Sequence, residues 1–266
     1  MTLVKQNARG PPASSRKALC CSRTEARYVK ASAVVIPAAS GSARMGEERP
    51  GLLAGIKEKL VASKEKWARE GRLLTGKGGD AREQRLPPGQ REVKNWPVLD
   101  LGIQPMLPPA RWRLAVDGLV ESPASWEWDA FAALPRCRSS SDIHCVTAWS
   151  RYDNRWEGVS AKHVLALTRP KPEARHVIFE SYDGYTTNVP LAEFAGRDVL
   201  LATSWEGEPL SREHGGPVRV VIPRLYFWKS AKWLKRIELA AEDRPGFWEV
   251  RGYHNHGDPW REERYG

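Results

Sequence analysis

The sequence predicts an α+β domain built mainly from short strands and preceded by one amphipathic helix. From residue 96 onward, short runs rich in valine, isoleucine and aromatic residues are separated by glycine-containing turns, which is typical of strands. One longer helical pattern lies before these runs, and a second, short one lies among them. With 266 residues and no internal repeat, the chain has room for one or two domains.

The helix is predicted between Gly51 and Gly71, where the second glycine provides a stop. Its apolar positions at helical spacing are Leu53, Ile56, Leu60 and Trp67, and its charged face carries Lys57, Glu58, Lys64, Glu65 and Lys66. We interpret it as an arm that packs on the main domain, with the charged face in solvent, rather than as a membrane-binding helix. Residues 75–95 are rich in glycine, proline and charge, and they predict a linker on the surface.

The strands follow in chain order. Trp112, Leu114 and Val116 alternate before a turn at Asp117-Gly118. Further strands are predicted over 143–147, 176–181, 199–205, 218–222 and 236–240, with a short helix over 160–168. The resulting division is an extension over 1–44, a helical arm and linker over 45–95, and a main domain over 96–266.

The positive charge of the chain is concentrated at its start. The formal net charge is +10, and residues 1–44 carry eight Lys/Arg and one acidic residue. This composition predicts a disordered extension or a mis-assigned start, with Met45 as the true one. It is also similar to an organelle presequence, although without a convincing amphipathic pattern. A binder of nucleic acid through this tail is a low-ranked hypothesis. The remainder is not strongly basic, so we expect no nucleic-acid partner.

Composition also bears on the compartment. No apolar run approaches the ~18–20 residues of a membrane span, so we expect no membrane association. The four cysteines form no CxxC pair, which argues against a zinc ribbon or a disulfide scaffold. Low cysteine content is typical of a reducing compartment, and we expect a cytoplasmic protein.

The first candidate for chemistry is Cys145, in the apolar run Ile143-His144-Cys145-Val146. It can be a small buried hydrophobic residue. As a nucleophile it would need a histidine, but His144 is adjacent and its side chain points to the opposite face of a strand. As a metal ligand, a single thiolate suits a soft, high-valent centre whose other ligands come from a cofactor. The residues alone leave these alternatives open.

The second candidate is a set of residues suited to an anion. Gly215-Gly216-Pro217 permits close backbone approach, and Arg219, Lys229 and Lys232 provide positive charge. A simple turn with solvated lysines is the other interpretation. Taken with Cys145, these residues suggest a cofactor with a metal at one end and a phosphate at the other. A zinc site from His214, His254 and His256 ranks last, because a His-x-His pair is common by chance.

From Trp96 to the C-terminus the chain resembles the sulfite oxidase superfamily of molybdopterin-binding oxidoreductases, and most of all its compact bacterial members. The similar segments are 86–90, 96–102, 142–158 and 242–249, and the helix over 51–71 resembles the start of those proteins. The resemblance implies a sulfite oxidase-type fold and molybdopterin as the cofactor.

The resemblance also implies roles for individual residues. Cys145 matches the cysteine that coordinates molybdenum, and Thr147 and Arg151 lie near it as further catalytic candidates. The cofactor-binding positions implied are Asn95, Leu99, Asp100, Ser181, His214, Arg219, Ser230, Ala231 and Lys232. Trp149 and Ser150 are expected in the pocket wall, and Tyr182, Tyr226 and residues 253–255 are weaker candidates.

The sequence departs from its relatives next to the cysteine. Where sulfite oxidases have two arginines, this chain has Trp149 and Ser150, followed by Arg151. Where methionine-sulfoxide-reducing relatives have a glutamate, it has Thr147, and no twin-arginine pair is present. We expect oxygen-atom transfer on a small substrate of the sulfite, sulfoxide or N-oxide type, with an unidentified protein exchanging electrons. The alternative is a redox-inactive or scaffold member of the same fold.

Overall fold

A computed structural model describes residues 50–69 and 85–266. The helices are α1 (Pro50–Arg69), α2 (Trp128–Ala132), α3 (Ala161–Thr168) and α4 (Leu191–Phe194). The strands are β1 (Arg91–Glu92), β2 (Arg113–Gly118), β3 (Ala124–Glu127), β4 (Arg136–Cys145), β5 (Trp149–Ser160), β6 (His176–Ser181), β7 (Thr186–Pro190), β8 (Leu200–Trp205), β9 (Glu208–Pro209), β10 (Arg219–Val221) and β11 (Leu234–Ala240). The predicted class, α+β with mostly strands, is confirmed. The interpretations of residues 1–44 lie outside the described residues.

The strands form two sheets. In the first sheet β4, β5, β8 and β10 lie side by side and antiparallel, while β1 adds to β5 in parallel and β9 pairs with β8. In the second sheet the order is β3-β2-β11-β6-β7, with β2 and β11 parallel and the other pairs antiparallel. The second sheet therefore joins strands from the middle and the end of the chain.

The first sheet is buried on both faces. Leu201 and Val220 belong to a core shared with the second sheet, α2 and α3, whereas Leu200 and Val221 belong to a second core on the opposite face. Neighbouring residues in a strand point to opposite faces, which explains the division. The second core also contains Val61 of α1, so the helix packs on the domain as predicted.

The β4–β5 hairpin is the longest pairing in the described part, and most of β4 was missed at the level of sequence. Its first half is charged and hydroxyl-rich because alternate side chains there are exposed at the edge of the sheet. At its other end β4 stops at Cys145 rather than continuing to residue 147, because a turn follows with Ala148 at φ 65°. Cys145 is therefore at a strand end and not within a strand.

The folded domain begins before the predicted boundary at residue 96. Arg85 forms ion pairs with Asp142 and Asp153, and β1 pairs with the start of β5. The last part of the predicted linker is thus an integral edge of the first sheet. Among the described residues, no helix is both long and apolar enough to cross a membrane.

Candidate active site

A cleft opens where parts of both sheets meet, and it encloses about 820 Å³, some of it open to solvent. The β4–β5 turn, the β6–β7 turn and the segment between β10 and β11 form its walls, and residues 96–101 cover one side. Its aromatic lining consists of Trp96, Trp149, Tyr185, Phe227, Trp228, Trp233, Trp248 and Tyr253. The many tryptophans thus contribute both to the core and to a rigid pocket.

Cys145 lies in this cleft at the end of β4, and its backbone is held on several sides. Ala148 closes the turn by donating its N–H to the Cys145 carbonyl at 3.1 Å, and Gln90 Nε2 donates to the same oxygen at 3.0 Å. Arg264 Nη1 donates to the neighbouring Val146 carbonyl at 2.6 Å. These contacts fix the direction of the cysteine side chain.

The Cys145 thiol is free, and it lies 3.2 Å from Thr147 Oγ1. Burial raises the pKa of Cys145, against the opposing effects of the Thr147 hydrogen bonds and of the charges of Lys64 and Arg264. Without a ligand the sulfur therefore keeps its proton, whereas a bound metal ion would displace it. The site favours a metal ligand over an activated nucleophile.

His144 supports this interpretation because it points away from the cleft. Its Nδ1 is 2.8 Å from Ser150 Oγ, which in turn donates to Gln90 Oε1 at 3.3 Å. Burial lowers the pKa of His144 to about 4, so the imidazole is neutral at physiological pH. The expectation that His144 is not a base for Cys145 is confirmed, and Ser150, expected in the pocket wall, lies on the His144 side instead.

The opposite end of the cleft is cationic. Arg219 is 1% exposed, and its guanidinium donates to the carbonyls of Val220, His214 and Ser230 at 3.3, 2.9 and 2.8 Å. It lies 4.2 Å over the Phe227 ring, and burial lowers its pKa to about 9. A guanidinium has five N–H donors, so donors remain for an anion. Burial is the cause of the lowered pKa of Arg219, and no carboxylate among the described residues opposes it.

Lys232 lines the same end, with its Nζ donating to the Glu213 carbonyl at 2.7 Å. Burial and the nearby charge of Arg219 lower the pKa of Lys232 to about 7, so an anion bound here would restore its full charge. A Cβ on Gly215 would lie 2.9 Å from the Lys232 side chain, and one on Gly216 would lie 2.2 Å from the Leu210 carbonyl. The glycines are therefore required by close packing of this loop.

Two buried polar atoms in the cleft have no partner among the described residues: Ser181 Oγ and Trp149 Nε1. An unsatisfied buried polar group costs about 1–3 kcal/mol, so it is seldom retained without a ligand or water. Polar groups of a bound ligand are the partners that such atoms require. Together with the free thiol and the buried cations, they fit molybdopterin, which has a metal, a hydrogen-bonding ring and a phosphate.

The cleft brings together most of the predicted site residues. Those that line it are Leu99, Asp100, Cys145, Thr147, Ser181, Arg219, Ser230 and Lys232, with Trp149 and Tyr253 from the wider set. They come from six separate parts of the chain. Whether each contacts the cofactor stays a prediction, but their convergence is what such a site requires.

Four of the predicted catalytic and cofactor-binding residues do not line the cleft: Asn95, Arg151, His214 and Ala231. Arg151 donates to Asn154 and Glu206 and lies 4.7 Å over the Trp205 ring, on the outer side of β5. Asn95 is exposed, and Ala231 is buried in the core, so the latter can offer only its backbone.

His214 supports the cleft wall rather than lining it. Its ring stacks on Trp96 with centroids 3.9 Å apart, and its Nε2 is 3.3 Å from the Trp96 carbonyl. Burial lowers its pKa to about 4. In this position it orients an aromatic residue of the cleft.

Several lining residues were missed at the level of sequence. Asp183 and Tyr185 follow Ser181 in the β6–β7 turn and were not among the predicted site residues. Lys64 was assigned to the solvent face of the helix, whereas it lines the cleft, and burial lowers its pKa. Nothing in the local pattern distinguishes Lys64 from its charged neighbours, because its place depends on how α1 docks.

The zinc hypothesis is not supported. In the part of the chain with described coordinates, no group of three or more His, Cys, Asp or Glu side chains is arranged to hold a metal ion. His254 and His256 instead contact Glu263, with His256 Nδ1 2.9 Å from its Oε2. A single cysteine in a ligand-sized cleft leaves the remaining metal ligands to a cofactor.

A buried thiol, a cationic end and an aromatic wall with unsatisfied donors define an enzyme that holds a metal-containing organic cofactor. Comparison with known proteins identifies the family. The family profile described as "Oxidoreductase molybdopterin binding domain" matches residues 101–248. The chain belongs to this family of molybdopterin-binding oxidoreductases and is a molybdenum cofactor-dependent oxidoreductase of the sulfite oxidase type.

Individual relatives agree with the family. The chain is 47% identical over 182 residues to an uncharacterized oxidoreductase, YuiH, of Bacillus subtilis, covering 68% of this chain and 92% of that protein. It is 37% identical over 109 residues to the mitochondrial sulfite oxidase of Rattus norvegicus, covering 37% of this chain and 20% of that one. It is 28% identical to the protein-methionine-sulfoxide reductase catalytic subunit MsrP of Ralstonia nicotianae, covering 57% and 50%.

Proposed function

We propose that this oxidoreductase transfers an oxygen atom to or from a small substrate of the sulfite, sulfoxide or N-oxide type, beside Cys145. The observation that carries the proposal is the free, buried thiol of Cys145 at the end of an aromatic cleft. When bound, molybdopterin supplies a two-electron redox centre suited to this transfer. Relatives named sulfite oxidase and methionine-sulfoxide reductase support the substrate range.

The residues that line the cleft have different proposed roles, according to their position. Cys145 would hold the metal, and the Thr147 hydroxyl, 3.2 Å from the sulfur, would stabilise the thiolate by donating to it. Arg219, Lys232 and Ser230 would bind the phosphate. The Trp149 N–H and the Ser181 hydroxyl would orient the ring system, since both are otherwise unsatisfied.

The part of the cleft beside Cys145, where we place the substrate, differs from the site with two arginines that the resemblance to sulfite oxidases implies. Trp149 occupies a position that the resemblance assigns to arginine, and Arg151 is engaged with Glu206 and the Trp205 ring. Aromatic walls exclude water and strengthen the few polar contacts that remain. This environment supports a small, compact substrate rather than a long one.

We propose that electrons leave or enter through another molecule, since no haem or flavin motif is visible in the sequence. We propose an electron-transfer protein as the partner, in the cytoplasm as the low cysteine content predicts. The reduction potential of this partner would determine whether the substrate is oxidised or reduced.

The first test is analysis of protein purified from a host that makes the cofactor. We expect close to one molybdenum per chain with the pterin present, and turnover of at least one substrate class with an artificial electron carrier. Sulfite is assayed with an oxidised dye, and sulfoxides and N-oxides with a reduced viologen. Protein that contains molybdenum but turns over none of the three classes would overturn oxygen-atom transfer and favour the scaffold alternative.

A further inference from the structure

Gln90 is a buried side chain that contacts the turn carrying Cys145. It lies in the segment just before β1, and its Nε2 donates to the Cys145 carbonyl at 3.0 Å. The same carbonyl accepts from the Ala148 N–H at 3.1 Å, so both of its lone pairs are used. The segment before β1 therefore holds the peptide group that follows the cysteine.

The orientation of the Gln90 amide follows from this contact. A backbone carbonyl can only accept a hydrogen bond, so the amide must present its NH2 group to Cys145 and not its oxygen. The amide oxygen of Gln90, Oε1, lies 3.3 Å from Ser150 Oγ. Because an amide oxygen carries no proton, the Ser150 hydroxyl is the donor in this second contact.

The direction of the second contact determines the tautomer of His144. Ser150 Oγ has a single proton, which it donates to Gln90, so it can only accept from His144. The Nδ1 atom of His144 lies 2.8 Å from Ser150 Oγ and must therefore carry a proton. The donors point one way, from His144 through Ser150 and Gln90 to the Cys145 carbonyl, and we call these three side chains the hydrogen-bond relay.

The hydrogen-bond relay is closed to solvent. His144, Ser150 and Gln90 are 4%, 0% and 6% exposed, and the Trp260 ring packs edge-on against His144 with centroids 6.2 Å apart. In such an interior, aligned hydrogen bonds strengthen one another, whereas an unpaired polar group is costly. The relay therefore favours one arrangement, in which the Gln90 donor faces Cys145.

We propose that Gln90 is a positioning residue for the metal ligand and that His144 orients it through Ser150. The inference rests on the proposed role of Cys145 as that ligand. By holding the Cys145 carbonyl, Gln90 fixes the peptide plane beside the cysteine and with it the direction in which the sulfur meets the metal. Partners that orient a ligand in this way tune the metal that it binds. His144 thus acts on the site from the opposite face of β4.

The first experiment determines the tautomer of His144 directly. Nitrogen NMR spectra of the holoenzyme, with labelled histidine and with molybdenum in its oxidised, diamagnetic state, distinguish protonated from unprotonated ring nitrogens. The signals that disappear in His144→Asn belong to His144. We expect its Nδ1 to be protonated in the wild type, and this result does not depend on turnover.

The second experiment measures the effect of the relay on the metal. We expect Gln90→Met to shift the g values of the Mo(V) electron paramagnetic resonance spectrum and to lower kcat about tenfold with KM unchanged, in the range found when support of a metal ligand is removed. Ser150→Ala should change the spectrum in the same direction, whereas His144→Asn, which keeps an N–H donor, should resemble the wild type. Ser140→Ala, at an exposed position of β4, is the matched control.

The outcomes separate this inference from the proposed reaction. Ser150→Ala removes only one oxygen atom, so it keeps the test valid if Gln90→Met does not load the cofactor. A holoenzyme that turns over no substrate, but whose Mo(V) spectrum changes in these variants, would remove the proposed reaction and leave the inference standing. A spectrum that is unchanged in both variants, or a wild-type His144 whose Nδ1 carries no proton, would overturn it.

Discussion

At Cys145 the protein keeps a thiol in a site that disfavours its ionisation. Burial raises its pKa, and the Thr147 hydroxyl and two cations oppose this effect without an adjacent base. Such a sulfur is a poor free nucleophile and a good ligand for a metal that arrives with its other ligands. The proposed role of Cys145 as a single ligand fits the finding that the described residues hold no cluster of metal-binding side chains.

Replacing Cys145 tests this directly. We expect Cys145→Ser to fold normally and to lose activity by at least about 100-fold, beyond the effect of residues that only support a ligand. Molybdenum content and oxygen-atom transfer are the measurements. Cys137→Ser, the other described cysteine, is the matched control and should retain both. Activity that survives unchanged in Cys145→Ser would remove this residue as the ligand.

His144 predicts a dependence of stability on pH. Its folded-state pKa of about 4 lies below the ordinary value of 6.5, so the unfolded chain binds more protons between these values. The stabilisation is complete above pH ~6.5 and is lost as pH falls towards ~4, by up to about 3 kcal/mol. Denaturant titrations at several pH values should show this fall, and His144→Asn should flatten it. An equal slope in the variant would contradict the assignment.

Among the elements, those with clear periodicity were predictable and those shaped by tertiary contacts were not. The strand at His176–Ser181 matches its prediction, because buried apolar residues dominate it. β4 was largely missed because its polar half is exposed. The same distinction applies to the residues of the site. The sequence pointed to Cys145 and Arg219 through their residue types and neighbours, whereas Lys64 and Asp183 line the cleft only because of how the chain packs.

One buried ion pair holds the aromatic wall of the cleft. Lys229 Nζ lies 2.7 Å from Glu249 Oε1, with both side chains at most 1% exposed, and Thr187 Oγ1 and Trp228 Nε1 also donate to this oxygen. The pair therefore connects the short helical turn after Trp248 to the segment between β10 and β11, and the hydrogen bonds from Thr187 to Glu249 and from Lys229 to the Asn188 carbonyl join both to β7. It stabilises the wall that faces Cys145.

Breaking this pair from one side should be costly. We expect Lys229→Met to lower the free energy of unfolding by about 3–5 kcal/mol, because it leaves the Glu249 carboxylate buried and unpaired. Lys229→Met combined with Glu249→Leu should lose less than the single variant. Denaturant unfolding of both proteins measures the difference. A double variant less stable than Lys229→Met would show that the pair itself, rather than the uncompensated charge, dominates.

At the scale of the whole molecule, the last described residues connect its separate parts. Arg264 donates to the Val146 and Pro88 carbonyls and lies 5.4 Å from the Tyr226 ring, while Tyr265 donates to α1. Residues 264 and 265 thereby join the turn after Cys145 to the segment that precedes β1 and to α1. The geometry of the cleft depends on this connection.

We therefore expect Arg264→Ala to release the cofactor about tenfold faster than wild type, in the range found when support of a metal ligand is removed. The fold should remain, since the two sheets do not depend on this side chain. Molybdenum retained after timed gel filtration is the measurement. Arg261→Ala, whose side chain is 75% exposed in the same segment, should behave as wild type. Equal retention in the two variants would contradict the connection.

The distance in sequence between the walls of the cleft has a consequence for biosynthesis. Cys145 emerges from the ribosome long before Trp248, Tyr253 and Arg264, yet all of them define the same cavity or its support. A nascent chain thus contains the thiol that we propose as the metal ligand before the rest of the pocket has been synthesised. Cofactor insertion must follow the synthesis of the C-terminal segment, because Trp248, Tyr253 and Arg264 complete or support the cavity.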